Sequence, residues 1–311
     1  MFDSDLIFWV AFSIIISIML YIDIYVTDHR KKKITLKQSL VWSAIWIGVA
    51  LIFNLLIYLF MENGKVLSVQ FLSAYLVEKS LSVDNLFVFL MIFNVMGIDD
   101  ENQPHILKWG ILSAIVMRVI FILAGVALLH LFHPIIYIFA LFLFYAAYKM
   151  AFGKENKIDP DANRVLLFLK NRFNYLPDFH GRHFFVRKEK MLYITPLFLT
   201  LVLIELSDLM FAVDSIPAVL AISTNPFIAI TSNIFAILGL RALYFAIAGI
   251  VDIFYLLKYG VALILAYIGV KMFLADISPI PTYISLTFIL VCLTLSVVLS
   301  LIFKDKKSKT S

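Results

Sequence analysis

The chain has 311 residues, 62% of them hydrophobic and only 15% charged, with a net charge of +5 and a mean hydropathy of +0.97. A soluble domain is usually about half apolar and a quarter charged, so this composition excludes an ordinary soluble protein. The basic excess lies between apolar runs and in the tail, which points to membrane topology rather than nucleic acid.

Apolar runs of about 20 residues recur along the chain, each able to span a hydrocarbon core of about 30 Å. The expectation is an all-α polytopic membrane protein, one transmembrane domain over 1–311. About nine helices are placed at roughly 6–27, 39–61, 68–96, 107–131, 134–152, 192–222, 227–251, 255–275 and 282–303. The N-terminus is acidic (Asp3, Asp5) and the first run is long enough to stay as a span, so no signal peptide is expected. Turn signals separate several spans: Glu62-Asn-Gly, His133-Pro134 and Ser278-Pro-Ile-Pro281. The single cysteine, Cys292, excludes an intramolecular disulfide and a cysteine-built metal site.

Lysine and arginine set the expected orientation. "DHRKKK" follows the first span, the polar segment 153–190 carries nine Lys or Arg, and the tail reads "KDKKSKTS". With the N-terminus outside, all three fall in the cytoplasm of a cell-membrane protein, as the positive-inside rule asks. The basic loop, 153–191, is expected to meet lipid head groups.

Two segments resemble each other: "EKSLSVDNLFVFLMI" from Glu78 and "DLMFAVDSIPAVLAI" from Asp208. Asp84 matches Asp214, and Glu78 matches Asp208. Arg118 in span 4 answers Arg241 in span 7, and "YAAYKM" at the end of span 5 answers "YIGVKM" at the end of span 8. Spans 3–5 (68–152) and 6–8 (192–275) thus read as two copies of a three-helix unit. An odd number of helices inverts the second copy, a pattern of secondary transporters.

Glu78, Asp84, Glu205, Asp208 and Asp214 all fall inside spans 3 and 6. An isolated charge in hydrocarbon costs at least about 2.5–3.5 kcal/mol, and intramembrane acids are functional by default. Arg118, Arg241 and Lys79 can offset part of this charge, and a bound cation the rest. Residues i and i+6 stand about 240° apart and about 9 Å along a helix, so Glu78 and Asp84 cannot chelate one ion on a straight helix. The site is therefore expected between spans 3 and 6, with Asp84 facing Asp214, or at a helix break. Pro217 can kink span 6 and free a carbonyl near Val213. Carboxylates with Asn85, Ser207 and Ser215 form a hard oxygen set that suits Mn²⁺, Mg²⁺ or Ca²⁺. Met210 is a weaker candidate ligand, since methionine in a span usually packs. Lys149 and Lys271 are expected to reach for the interface, and His130, His133, His180 and His183 to be solvated.

The segments "EKSLSVDNLFVF", "IELSDLMFAVDSIPAVLAIS" and "TSNIFAILGLRALYF" resemble the signature stretches of the TerC family of integral membrane proteins, of which the Alx proteins are one branch. The segment "YIDIYVTDHRKKKITLKQSLVWSAIWIGVAL" is similar to the family's first two spans, and the likeness runs from about Ile22 to Phe273. The resemblance implies a manganese exporter related to the LysE-type transporters with 3+3 inverted repeats. It implies that Glu78, Asp84, Asn85, Asp208, Asp214 and Ser215 hold the metal, and that Asp23 lines an inner vestibule.

The leading expectation is a secondary transporter of divalent cations, not an enzyme, with no prosthetic group and no Walker motif. Its partners are the bilayer and the transported cation, without nucleic acid. A membrane partner of the secretion machinery or of exported proteins, which helps to metallate or mature them, is the alternative. An intramembrane aspartyl protease built on Asp84 and Asp214 is disfavoured, because these acids follow Ser-Val and Ala-Val rather than Gly-x-Gly.

Overall fold

The computed structural model describes residues 2–23, 36–132, 134–153, 164–178, 181–188, 191–248, 256–278 and 280–302. The side chains of Val83, Asp84, Phe87, Val213 and Asp214 are outside that description, as are those of a few residues at segment ends. The helices are α1 (Phe2–Tyr21), α2 (Leu36–Phe60), α3 (Gly64–Val95), α4 (Gln103–Leu131), α5 (Ile135–Phe152) and α6 (Arg164–Arg172). After a small sheet come α7 (Pro196–Ile222), α8 (Pro226–Ile237), α9 (Leu240–Ala248), α10 (Leu257–Phe273) and α11 (Thr282–Ile302).

Among the described residues six helical segments are long and apolar enough to cross a membrane: Lys37–Phe60, Gln103–Leu131, Ile135–Phe152, Pro196–Ile222, Pro226–Ala246 and Thr282–Ile302. The other three expected spans fall on α1, α3 and α10. In α1 the apolar stretch is the shorter Leu6–Tyr21. The 32-residue α3 carries Glu78, Lys79 and Asp84 near its middle, and α10 has only 17 residues.

Large apolar side chains cover the outside. Leu51, Ile52 and Leu55 of α2, Val116 and Ile120 of α4, and Leu141 and Tyr145 of α5 are all exposed. A surface of this kind matches hydrocarbon rather than water. The polar residues lie inside instead. α8 is the central helix, buried from Phe227 to Ile237, including Thr231, Ser232 and Asn233. Its aromatic wall packs Phe235 on Phe53 at 4.8 Å and Phe227 on Trp9 at 4.9 Å between ring centroids. α8 lies against α3 and α4, α7 against α3 and α4, and α5 pairs along α10.

The structure corrects the expected layout in three places. The basic segment 153–190 is not only loop. It holds α6 and the start of a three-stranded sheet of order β1-β3-β2, with β1 (Asn174–Tyr175), β2 (Phe185–Lys188) and β3 (Met191–Ile194). β3 runs parallel to β1 and antiparallel to β2. The expected sixth span therefore starts four residues late, at Pro196 rather than 192. Thr195 is extended, its hydroxyl donates to the His183 carbonyl at 2.8 Å, and Pro196 at the first helical position suits the ring's fixed φ.

The third correction concerns span 7, which is not one continuous helix. It breaks between α8 and α9, where Leu238 is extended (ψ 134°) and Gly239 is left-handed (φ 82°). A Cβ at Gly239 would stand 2.6 Å from Trp46 Cδ1 on α2, so both the backbone and the close approach of that indole require glycine. The expected sharp turn at Glu62-Asn-Gly is present, with Asn63 left-handed (φ 58°) between α2 and α3. α7 is helical through Pro217.

Candidate functional site

The centre of the molecule gathers polar side chains from four helices. Glu78 on α3 is fully buried, and its Oε1 accepts a short, charge-assisted hydrogen bond from Arg118 Nη1 of α4. The same Nη1 donates to Ser215 Oγ of α7 at 3.0 Å and to Asn233 Oδ1 of α8 at 3.0 Å. Arg118 Nη2 lies 3.6 Å from Asp208 Oδ1 of α7. Asn233 Nδ2 closes the ring by donating to Glu78 Oε2 at 3.2 Å. A planar guanidinium with five fixed donors suits this task, because it can serve several acceptors on different helices at once.

Among the described residues the cluster sets two carboxyl groups, Glu78 and Asp208, against one guanidinium, Arg118. Among the described residues, Asp208 Oδ2, Asn85 Oδ1 and Ser82 Oγ are buried without a hydrogen-bond partner, as is the donor Arg118 Nε. Buried polar atoms are paired in the great majority of cases, and a carboxylate oxygen left over in a low-dielectric centre favours a cation.

The remaining expected site residues distribute as follows. Ser215, on Arg118, is buried at the centre next in sequence to Asp214, and Asn85, next to Asp84, is also buried. The expected approach of Asp84 and Asp214 lies outside the described residues. Glu205 is half-buried one turn before Asp208, and its Oε1 accepts a short hydrogen bond from Ser113 Oγ of α4. Among the described residues no three Asp, Glu, His or Cys side chains are grouped closely enough to hold a metal ion. The described oxygen donors belong to a hard set, and none is sulfur. Met210 is not aimed at the centre: it is 63% exposed, because two residues beyond Asp208 lie about 200° round the helix. The Ser207 hydroxyl donates to the Leu203 carbonyl at 2.8 Å.

Arg241, the sequence partner of Arg118, is buried just after the helix break. Its Nε lies 3.6 Å from Asp23 Oδ2, and its Nη2 donates a short hydrogen bond to the Asp23 carbonyl. Asp23 is likewise buried, just past the end of α1. Lys79 does not meet a carboxylate among the described residues. Its Nζ donates to the main-chain carbonyls of Ala236 at 3.0 Å and Leu238 at 3.4 Å. Lys149 is exposed, but Lys271 is only 9% exposed rather than reaching outward, since α10 packs along α5. His130 is exposed, His105 stacks on Phe184, and His133 and His180 lie outside the described residues.

Sequence reasoning missed Asn233 as a member of the centre. The signal available was the polar run Thr231-Ser232-Asn233 inside an apolar span, since an amide there needs partners. It also missed the capping role of Lys79, which depends on a helix break that hydropathy does not reveal.

Apolar outer faces around a buried arginine–carboxylate centre define a multi-pass helical membrane protein embedded in the bilayer. The chain belongs to the TerC family of integral membrane proteins, whose family model matches residues 63–308. It is 43% identical over 285 residues, 89% of each chain, to proteins of Escherichia coli K12 and Shigella flexneri that both carry the name "Putative membrane-bound redox modulator Alx". It is 40% identical over 303 residues, 97% of this chain and 94% of the other, to a protein of Myxococcus xanthus named as an uncharacterized membrane protein. No solved structure matches the chain.

Proposed function

We propose that this chain exports divalent metal cations, Mn²⁺ foremost, from a carboxylate site between two inverted three-helix repeats. The observation that carries the reading is the pair of carboxyl groups, Glu78 and Asp208, buried on one arginine, with an Asp208 oxygen left unpaired among the described residues. Arg118 is shared by Glu78 and Asp208, and Asp208 Oδ2 and Asn85 Oδ1 have no hydrogen-bond partner among the described residues, nor has Arg118 Nε. In this reading Glu78, Asp84, Asn85, Asp208, Asp214 and Ser215 face the cation, with Glu205 one turn away along α7. Transport is secondary, the protein sits in the cell membrane with its basic loop and C-terminus in the cytoplasm, and no enzymatic step is involved.

The packing supports the repeat. If α3, α4 and α5 correspond to α7, α8–α9 and α10, a two-fold axis generates the contacts observed: α3 on α8 matches α7 on α4, α3 meets α7, and α5 meets α10. Arg118 is placed by this scheme between the two acids that the repeat equates, Glu78 and Asp208. The relatives' name speaks of redox modulation. A lone cysteine, Cys292, buried in α11, offers no dithiol within the chain, so a redox effect of this chain would follow from metal supply.

The test is Mn²⁺ flux in liposomes holding the purified chain, with Asp84→Asn and Asp214→Asn beside the wild type. Loss of flux in both variants, in protein that melts like the wild type, is the expected result. Unchanged flux in both would remove the site from α3 and α7. No wild-type flux for Mn²⁺, Mg²⁺ or Ca²⁺ would favour the partner role in metallating exported proteins.

A further inference from the structure

The break between α8 and α9 holds an unusual pairing. The last carbonyls of a helix have no helical partner and carry its negative end. At this break the carbonyls of Ala236 and Leu238 converge on one point, and the Lys79 ammonium, from a helix more than 150 residues earlier in the chain, fills it at 3.0 and 3.4 Å. Lys79 is partly buried, and among the described residues no carboxylate balances it. Its neighbour Glu78 is already held by Arg118 and Asn233. The ammonium is thus held by main-chain oxygens and the α8 dipole. Unwound carbonyls at half-helix C-terminal ends are where membrane transporters coordinate monovalent cations, and an ammonium has the charge and donor pattern to replace such an ion.

We propose that the α8–α9 break is a monovalent-cation site that the chain fills permanently with Lys79, a tethered counter-cation in place of Na⁺ or K⁺. Gly239 and Trp46 hold the site open: the left-handed glycine turns the chain, and the indole packed on it allows no side chain there. The assignment stands on this geometry alone. Its consequence for the transport cycle, that flux needs no Na⁺ or K⁺ on either side, rests on the export reading.

The experiment is thermal melting of the purified full chain, followed by tryptophan fluorescence, in choline, Na⁺ and K⁺ chloride of equal strength. Wild type and Lys79→Arg are expected to melt at the same temperature in all three salts. Lys79→Ala is expected to melt about 5 °C lower in choline, the scale of losing charged hydrogen bonds. Na⁺ or K⁺ should recover part of the loss with a saturating dependence. A wild-type melting temperature that climbs with Na⁺ or K⁺ overturns the proposal, as does a Lys79→Ala loss that neither ion recovers, or no loss in choline. Should Lys79→Ala not accumulate, Lys79→Met prepared in Na⁺ and in K⁺ replaces it, and failure of both variants to fold in either ion also counts against the site. Melting is read without Mn²⁺, so absence of metal flux would not touch this result.

Discussion

The two arginines that the sequence aligns do different work. Arg118 sits on an unbroken helix of 29 residues and reaches acids on α3 and α7. Arg241 sits two residues past a helix break and pairs with Asp23, just past the end of α1. One ties the centre together across the helices that carry the acids. The other fastens a peripheral helix to the inner bundle. Two similar segments have been put to unlike uses, and the difference lies in the local backbone. The break between α8 and α9 precedes Arg241, which meets Asp23 just past the end of α1.

The largest expected effect breaks this comparison directly. Arg118→Met strands two buried carboxylates, each costing about 2.5–3.5 kcal/mol in hydrocarbon on insertion scales. Arg241→Met strands the single carboxylate of Asp23. The first variant should lose about twice the stability of the second, read as melting temperature and as yield from the membrane. Adding Glu78→Gln should recover part of the Arg118→Met loss, because removing both charges of a buried pair is far milder than removing one. Equal losses for the two arginine variants, or no recovery in the double variant, would show that Arg118 does not hold the centre.

A smaller effect separates the broken helix from the unbroken one. An added Cβ meets a neighbour at 2.6 Å at both Gly239 and Gly125. At Gly125 the neighbour is Leu220 Cδ1, the end of a flexible chain, and φ is ordinary. At Gly239 it is the Trp46 ring, and φ is +82°. Gly239→Ala adds left-handed strain of about 1–2 kcal/mol to an overpacking cost of about 1–3 kcal/mol. Gly125→Ala should stay below about 1 kcal/mol as Leu220 changes rotamer. Melting temperatures of the two variants side by side decide it. A tolerated Gly239→Ala would mean that the break is not needed.

These residues also show what the sequence makes legible. The membrane class follows from composition, and the central acids stand out because ionised side chains are rare in apolar runs. Periodicity says less about where one element gives way to the next. Met191-Leu-Tyr-Ile194 is as apolar as the helix after it, so it merges into the expected span; only Thr195-Pro196 marks the boundary. The interruption at Leu238-Gly239 is invisible in the hydropathy of a span that is apolar on both sides, with one glycine as its sign. Asn233 and Lys79 have partners that come from distant helices, and no local pattern encodes those contacts.

The smallest expected effect settles which face of α7 the centre uses. Asp208 and Met210 are two residues apart, and the sequence alone leaves the thioether as a soft ligand beside the acids. The structure puts Asp208 on Arg118 and turns Met210 outward, 63% exposed among apolar surface residues. Met210→Leu keeps the volume and removes the sulfur, and an exposed swap of this kind rarely moves stability by more than about 0.5 kcal/mol. Flux in liposomes should stay within about twofold of wild type, with the ranking of Mn²⁺ over Mg²⁺ and Ca²⁺ unchanged. About 200° of helix separates the two side chains, so, on the export reading, a sulfur that faces outward in this structure reaches a cation beside Asp208 only if α7 rotates. A Met210→Leu variant that lost its preference for Mn²⁺ while keeping its melting temperature would place that rotation in the mechanism and move the site off the Arg118 face.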